Sequence, residues 1–179
     1  MKAIFLDRDG VINRAIVKNG KPYPPNSLDT LEILPGVKEA LVSLHKSGYL
    51  LIVITNQPDV ARGKISKNTV EDINRYMLAN FPLDEILTCF HDEDDHCECR
   101  KPKPGAILKA AEKHNLDLKF CYMVGDRWRD IDSGLSAGCK TIFLDYGYSE
   151  KKPKSPDFRV KSLYEASRII LGENNAEGK

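Results

Sequence analysis

Two aspartates, Asp7 and Asp9, stand two residues apart where the apolar run Ala3-Ile4-Phe5-Leu6 gives way to Gly10. An apolar run of this length that ends at a turn reads as a buried strand. Open α/β sheets bind ligands beyond the carboxyl ends of such strands. Carboxylates in that place suit phosphoryl chemistry. Asp7 would attack phosphorus, while Asp9 would protonate the leaving oxygen and later activate water. An aspartyl-phosphate splits one hard displacement into two easier ones. Gly10 would let the chain turn steeply without a Cβ clash. For the tetrapeptide Asp-Arg-Asp-Gly alone, a solvated turn is the alternative.

Three later stretches bear on that choice. Thr55-Asn56 ends the apolar run Leu50-Leu51-Ile52-Val53-Ile54, Arg100-Lys101 opens RKPKPG, and Gly125-Asp126-Arg127 ends Cys121-Tyr122-Met123-Val124. The Thr55 hydroxyl and the Asn56 backbone N–H would hold phosphate oxygens. Lys101 would balance the negative charge shared by Asp7 and the transferring phosphoryl group. Arg100 offers a planar fork for a second phosphate or a hydroxyl, and Arg127 is a second candidate for that task. Asp126 would complete a Mg²⁺ site with Asp7 and the backbone carbonyl of Asp9, a small oxygen set of the kind this ion prefers. Asp130, one helical turn on, would bond a metal-bound water or orient Lys101, and Asp132 would face solvent.

A second cluster suits a different metal. Cys89, His91, Cys97 and Cys99 form C-x-H-x5-C-x-C. Three thiolates and an imidazole suit tetrahedral Zn²⁺, and four protein ligands leave no position for water, so this zinc would be structural. The loop 89–99 is dense in charge, with Phe90 its only apolar anchor, and would not fold on itself without such a staple. His96 is the alternative imidazole; the spacing favours His91. Asp92, Glu93, Asp94 and Asp95 read as solvated.

Taken in order, DRDGVIN, TNQ, CRKPKPG and GDRWRDI resemble the haloacid dehalogenase superfamily of phosphatases, in its histidinol-phosphate and heptose-bisphosphate phosphatase branch. The resemblance runs from Met1 to about Tyr148. It implies Mg²⁺-dependent hydrolysis of a small phosphomonoester and also favours His91 as the zinc ligand. DRDGVIN with Asn13, and VARG after TNQ, resemble the heptose enzymes, for which heptose 1,7-bisphosphate in bacterial surface-sugar synthesis is the substrate. The five-residue gap between His91 and Cys97 resembles the histidinol branch, which keeps histidinol phosphate as the alternative. Pro58 departs from the small residue usual after TNQ, and Phe90 from the proline usual in that loop. A phospho-accepting signalling domain also phosphorylates an Asp on a parallel sheet, but Asp9 favours turnover over storage.

These side chains need a scaffold of buried strands and amphipathic helices. Helices are expected over Val37–Ser47, from Ser66 to about Asn80, from Pro104-Gly105 to about His114, and over Ser162–Leu171. Glu85–Thr88 and Lys140–Leu144 read as further strands. Arg14–Thr30, with Gly20, Pro22, Pro24 and Pro25, reads as a loop that could cover the site; by the resemblance it is too short for a separate cap domain. The fold expected is one doubly wound, Rossmann-like α/β domain over residues 1–172, with a mainly parallel five-stranded sheet, and a frayed tail at 173–179.

Composition sets the setting. The 179 residues are 41% hydrophobic and 30% charged, as in ordinary globular proteins. A net charge of +1 offers no field for nucleic acid or a membrane surface. No apolar stretch approaches the roughly 18 residues of a membrane span, and Met1 leads directly into the first strand without the basic region and small-residue cleavage site of a signal peptide, so none is expected. A monomer in the cytoplasm, acting on a small phosphorylated sugar, is expected. Five cysteines, three of them in the metal loop, favour metal over disulfides. Cys121 and Cys139 read as inert core thiols, and His45 and His114 as structural or exposed.

Overall fold

The computed structural model describes residues 1–172; the tail expected at 173–179 lies outside the described residues. Strand β1 (Ala3–Leu6) is followed by a two-stranded antiparallel hairpin, β2 (Ile16–Lys18) and β3 (Lys21–Tyr23). Then come β4 (Leu50–Asn56), β5 (Glu85–Cys89), β6 (Tyr122–Gly125), β7 (Lys140–Leu144) and β8 (Phe158–Val160). Outside the hairpin the strands form one sheet in the order β5-β4-β1-β6-β7-β8, and every pairing in it is parallel.

The sheet thus has six strands rather than the five expected. The sixth, Phe158–Val160, is three residues long and follows the Lys- and Pro-rich stretch 151–157. It carries no apolar run, and two of its three side chains are exposed, as suits a short charged edge. The segment expected as a loop over Arg14–Thr30 also differs. It holds the hairpin and a 3-10 turn at Leu28–Thr30, and among the described residues nothing larger is inserted there.

The central strands are buried on both faces, which is why they read as continuous apolar runs. Side chains alternate between faces. Ile4, Leu6, Val53 and Val124 point to one core with α1 (Val37–Lys46), α2 (Lys67–Asn80) and α5 (Leu163–Ile170), through Leu41, Met77 and Ile170. Phe5, Ile54 and Met123 point to the other, against Ile107 and Ala110 of α3 (Gly105–His114). Helix α4 (Trp128–Ala137) lies on that second face, with Gly134 against Met123. Ser66 caps α2, its hydroxyl accepting from Thr69 N at 3.1 Å. Each fully buried Leu, Ile or Phe contributes roughly 1.5–3 kcal/mol by leaving water.

One feature of this topology places the chemistry. The chain builds outward from β1 through β4 to β5, then crosses back to β6 and builds the other way. The order reverses between β1 and β6, and the crevice beyond the carboxyl ends of such a pair is where ligands bind. Asp7 follows β1 there, and Asp126 follows β6.

Candidate active site

Asp7, Asp126 and Asp130 are all buried and bring carboxylate oxygens within 4.8 Å of one another. Lys101 comes in from the loop before α3. Its ammonium donates to Asp7 Oδ1 at 2.8 Å and to the Ile54 carbonyl at 2.7 Å, and it pairs with Asp130 Oδ1 at 2.7 Å. Asn56 holds the Lys101 backbone reciprocally: its Nδ2 donates to the carbonyl and its Oδ1 accepts from the N–H, each at 3.1 Å. Asp130 also caps α4, accepting from Arg127 N at 2.9 Å. Gly10 has φ +93, and a Cβ there would collide with the Asp126 carboxylate. The turn after β1 therefore requires glycine twice over, for its backbone and for the space.

The electrostatics of the cluster are lopsided. Burial, with the Asp130 charge adding to it and Lys101 opposing, pushes the Asp7 carboxyl up from 3.8 to about 6. Burial and the charges of Asp7 and Asp130 push Asp126 well above the usual carboxylate range. Burial would lower the Lys101 ammonium, but Asp130 and Asp7 outweigh it and hold it above the usual lysine value. Three carboxylates therefore face one ammonium in a low-dielectric crevice. Asp126 Oδ1 is buried and accepts no hydrogen bond among the described residues. A divalent cation fits both facts, the excess charge and the unpartnered oxygen.

Asp9 sits beside this cluster. Its Oδ2 accepts from Gln57 Nε2 at 2.7 Å and its Oδ1 from Asn13 Nδ2 at 3.0 Å. Arg8, fully buried, donates to both oxygens at 3.2–3.3 Å and passes its third arm to Asn74 Oδ1 at 2.9 Å. Gln57 Nε2 also donates to Thr55 Oγ1 at 2.9 Å, so one amide ties Thr55 to Asp9.

The metal-loop residues converge as well. Cys89 ends β5, and its Sγ lies 3.1 Å from Cys99 Sγ and 3.6 Å from Cys97 Sγ. His91 offers Nδ1, 3.4 Å from Cys99 Sγ and 3.6 Å from Cys89 Sγ. His96 takes a left-handed backbone at the end of the Glu93–Asp95 turn and is not in the cluster. Three soft ligands and an imidazole at these separations are compatible with zinc. The acidic stretch is solvated as expected at Glu93, Asp94 and Asp95, with Asp92 half-buried; cations reach two of the four, Arg62 donating twice to Asp92 at 2.6 Å and Arg129 reaching Glu93 at 2.8 Å.

Arg100 lines a cleft of about 190 Å³ with Lys103, Arg129 and Glu93. Its Nη1 donates to the His91 carbonyl at 3.3 Å and its Nη2 lies 3.6 Å from Glu93, while its Nε is buried without a partner among the described residues. Arg127 is not in that cleft. Glu150 takes it, Nε to Oε1 at 3.0 Å, and holds its charge above the usual arginine value against the effect of burial. Thus Asp7, Asn56, Lys101, Asp126 and Asp130 meet, Asp9 and Thr55 stand beside them joined through Gln57, Arg100 stands at the rim and Arg127 is already paired. Arg8, Gln57, Tyr148 and Glu150 received no role from sequence reasoning. Gln57 lies within the TNQ stretch. Tyr148 and Glu150 follow the carboxyl end of a parallel strand, the position that flagged Asp7 and Asp126.

A family model described as HAD-hydrolase-like matches residues 98–166. The D-glycero-beta-D-manno-heptose-1,7-bisphosphate 7-phosphatase of Pasteurella multocida is 34% identical over 96% of this chain and 97% of its own. The protein of that name from Escherichia coli K12 is 37% identical over 79% of this chain and 78% of its own. Among solved structures, the D,D-heptose 1,7-bisphosphate phosphatase of B. bronchiseptica, complexed with magnesium and phosphate, superposes with a TM-score of 0.79 at 29% identity. That match covers 97% of this chain and 99% of the other.

Proposed function

Because the chain belongs to the haloacid dehalogenase (HAD) family of phosphatases, we propose that it removes the 7-phosphate of D-glycero-D-manno-heptose 1,7-bisphosphate in surface-sugar synthesis. The observation that carries the chemistry is the Lys101 ammonium bridging Asp7 and Asp130 beside the unpartnered Asp126 oxygen. The names of the relatives carry the choice of sugar and do not favour histidinol phosphate, despite the five-residue gap in the metal loop.

In this reading Lys101 engages Asp7 Oδ1, and Oδ2 is the attacking atom. The Asp7 oxygen–phosphorus bond forms as the phosphorus–sugar oxygen bond breaks, and Asp9 gives its proton to the departing oxygen. Asp9 then takes a proton from water, whose oxygen attacks phosphorus. Phosphate leaves and Asp7 is regenerated. Thr55 Oγ1 and the Asn56 N–H donate to phosphoryl oxygens, and Lys101 offsets their charge. Mg²⁺ held by Asp7, Asp126 and the Asp9 backbone carbonyl, with Asp130 behind them, would supply a fixed divalent charge for those oxygens.

Zn²⁺ on Cys89, His91, Cys97 and Cys99 would be structural, fixing the loop from which Arg100 reaches the rim. Arg100 would meet the distal phosphate, and Arg127, tied to Glu150, is the lesser candidate. Thiols that must stay reduced suit the cytoplasm, and the substrate asks for no more than a monomer. Among the described residues no helix is long and apolar enough to cross a membrane.

Phosphate release from heptose 1,7-bisphosphate, histidinol phosphate and nucleotides, with and without Mg²⁺, tests the proposal. Mg²⁺-dependent release from the heptose bisphosphate is expected to lead the set and to vanish in Asp7→Asn. Faster release from histidinol phosphate would overturn the substrate. Full activity of Asp7→Asn would overturn the mechanism.

A further inference from the structure

The loop after β7 reaches back to the carboxylates. Its Tyr148 hydroxyl donates to Asp126 Oδ2 at 2.9 Å. The other oxygen of that carboxylate is the buried, unpartnered Oδ1. The loop is fastened on two sides. Ser149 N donates at 2.8 Å to the Gly20 carbonyl, at the tip of the β2–β3 hairpin. Glu150 receives Arg127 from the start of α4. Gly20 has φ +73, and a Cβ there would collide with the Ser149 hydroxyl, so the approach of hairpin to loop depends on a bare backbone.

We infer that Tyr148 is a positioning residue for the divalent cation, and that the hairpin is the strap that keeps it in place; this rests on the Mg²⁺ site proposed above. A carboxylate on a short side chain rotates unless one of its oxygens is held. The phenol holds Oδ2, which fixes the plane of the group and presents Oδ1 to the crevice. Outer hydrogen bonds of this kind orient metal ligands, and their loss typically costs about 10- to 100-fold in metal affinity. Tyr146 provides an internal control. Its ring stands 5.7 Å from that of Tyr148, yet among the described residues only Tyr148 donates to Asp126.

The test is Mn²⁺ binding to the full chain, with the unbound ion counted by its paramagnetic resonance signal. Tyr148→Phe, which keeps the ring and loses only the O–H, is expected to raise the Mn²⁺ dissociation constant roughly tenfold or more. Its melting temperature should stay near wild type, and its turnover should recover as Mg²⁺ is raised. Gly20→Val is expected to weaken Mn²⁺ in the same direction with Tyr148 intact, and Tyr146→Phe to bind as wild type. Wild-type affinity in Tyr148→Phe, with binding lost in Asp126→Asn, overturns this inference alone. Wild-type affinity in Gly20→Val removes the strap. Unchanged binding in Asp126→Asn overturns the metal site itself, and the inference with it.

Discussion

Lys101 Nζ lies 2.7 Å from Asp130 Oδ1, and both side chains are almost wholly buried. Removing one member of a buried charge pair leaves the other uncompensated, at a cost of about 3–5 kcal/mol. Here the ammonium also serves Asp7. Lys101→Met is therefore expected to destabilise the metal-free protein by about that amount and to lower kcat by about 10²- to 10³-fold. The stability deficit has a sign with pH. Burial already raises the Asp7 carboxyl to about 6 against an ordinary 3.8, and Lys101 opposes the rise. Without Lys101 the folded chain holds that proton still more tightly than the unfolded chain does. Protons favour folding in this case, so the deficit is smallest near pH 4 and grows as pH rises through the folded value. Chemical denaturation at pH 5 and pH 8 checks it; an equal deficit at both would exclude the charge argument.

Asn74 connects the acid–base side of the site to the scaffold. It accepts from buried Arg8 at 2.9 Å and donates to Thr88 Oγ1 at 3.0 Å. Arg8 in turn holds both oxygens of Asp9. Asn74→Leu would leave a buried guanidinium arm unpaired, at roughly 1–3 kcal/mol. Asp9 would lose its alignment, not its identity. Steady-state kinetics should show kcat falling about tenfold or more with KM little changed. A rise in KM with kcat intact would place Asn74 in substrate binding instead.

The metal loop makes a countable prediction. Protein purified without chelators should carry one zinc, separate from the ion that supports turnover. On chelation, the two half-buried thiols, Cys97 and Cys99, should react quickly with a disulfide reagent at pH 8. Cys89, Cys121 and Cys139 should stay silent, because all three are buried; burial raises the Cys89 thiol and pushes the Cys139 thiol up to about 12. Five fast thiols would mean that the metal holds the whole fold together, not only its loop.

Much of this site was legible because its residues sit at the carboxyl ends of apolar strands, where a linear pattern marks both strand and position. Asp7, Thr55 and Asp126 are found that way, and Lys101 and the Cys/His set by type and spacing. The hairpin was not legible. Val17 and Tyr23 are exposed, the strands are three residues each, and Pro22 sits inside one. β8 failed to show for the same reason: a strand without a buried run leaves no period to read. Arg8 carries no signal of its own in the sequence, yet it is fully buried. Its partner Asn74 lies 66 residues away on α2, a distance no local pattern spans. Tyr148 escaped because its acceptor comes from another strand end.

Arg100 is where substrate choice can be separated from chemistry. Arg100 and Lys101 stand in a turn, which Lys103 N closes on the Arg100 carbonyl at 3.0 Å. Lys101 turns inward to Asp7, and Arg100 lines the cleft beside the metal loop. Its present partners are a carbonyl at 3.3 Å and a carboxylate at 3.6 Å, and among the described residues its Nε has none. That fork is poorly satisfied for a group only 11% exposed, and a phosphate would complete it. The reacting phosphate already has Lys101, Thr55 and the proposed cation, so the distal phosphate needs a cation of its own. A charge-assisted fork is worth about 1.5–3 kcal/mol. Arg100→Ala is therefore expected to lower kcat/KM for heptose 1,7-bisphosphate by roughly 10- to 150-fold. With p-nitrophenyl phosphate, which has no second phosphate, the change should be much smaller. Equal losses on both substrates would assign Arg100 to the chemistry or the fold, and would leave the bisphosphate reading without its main physical support.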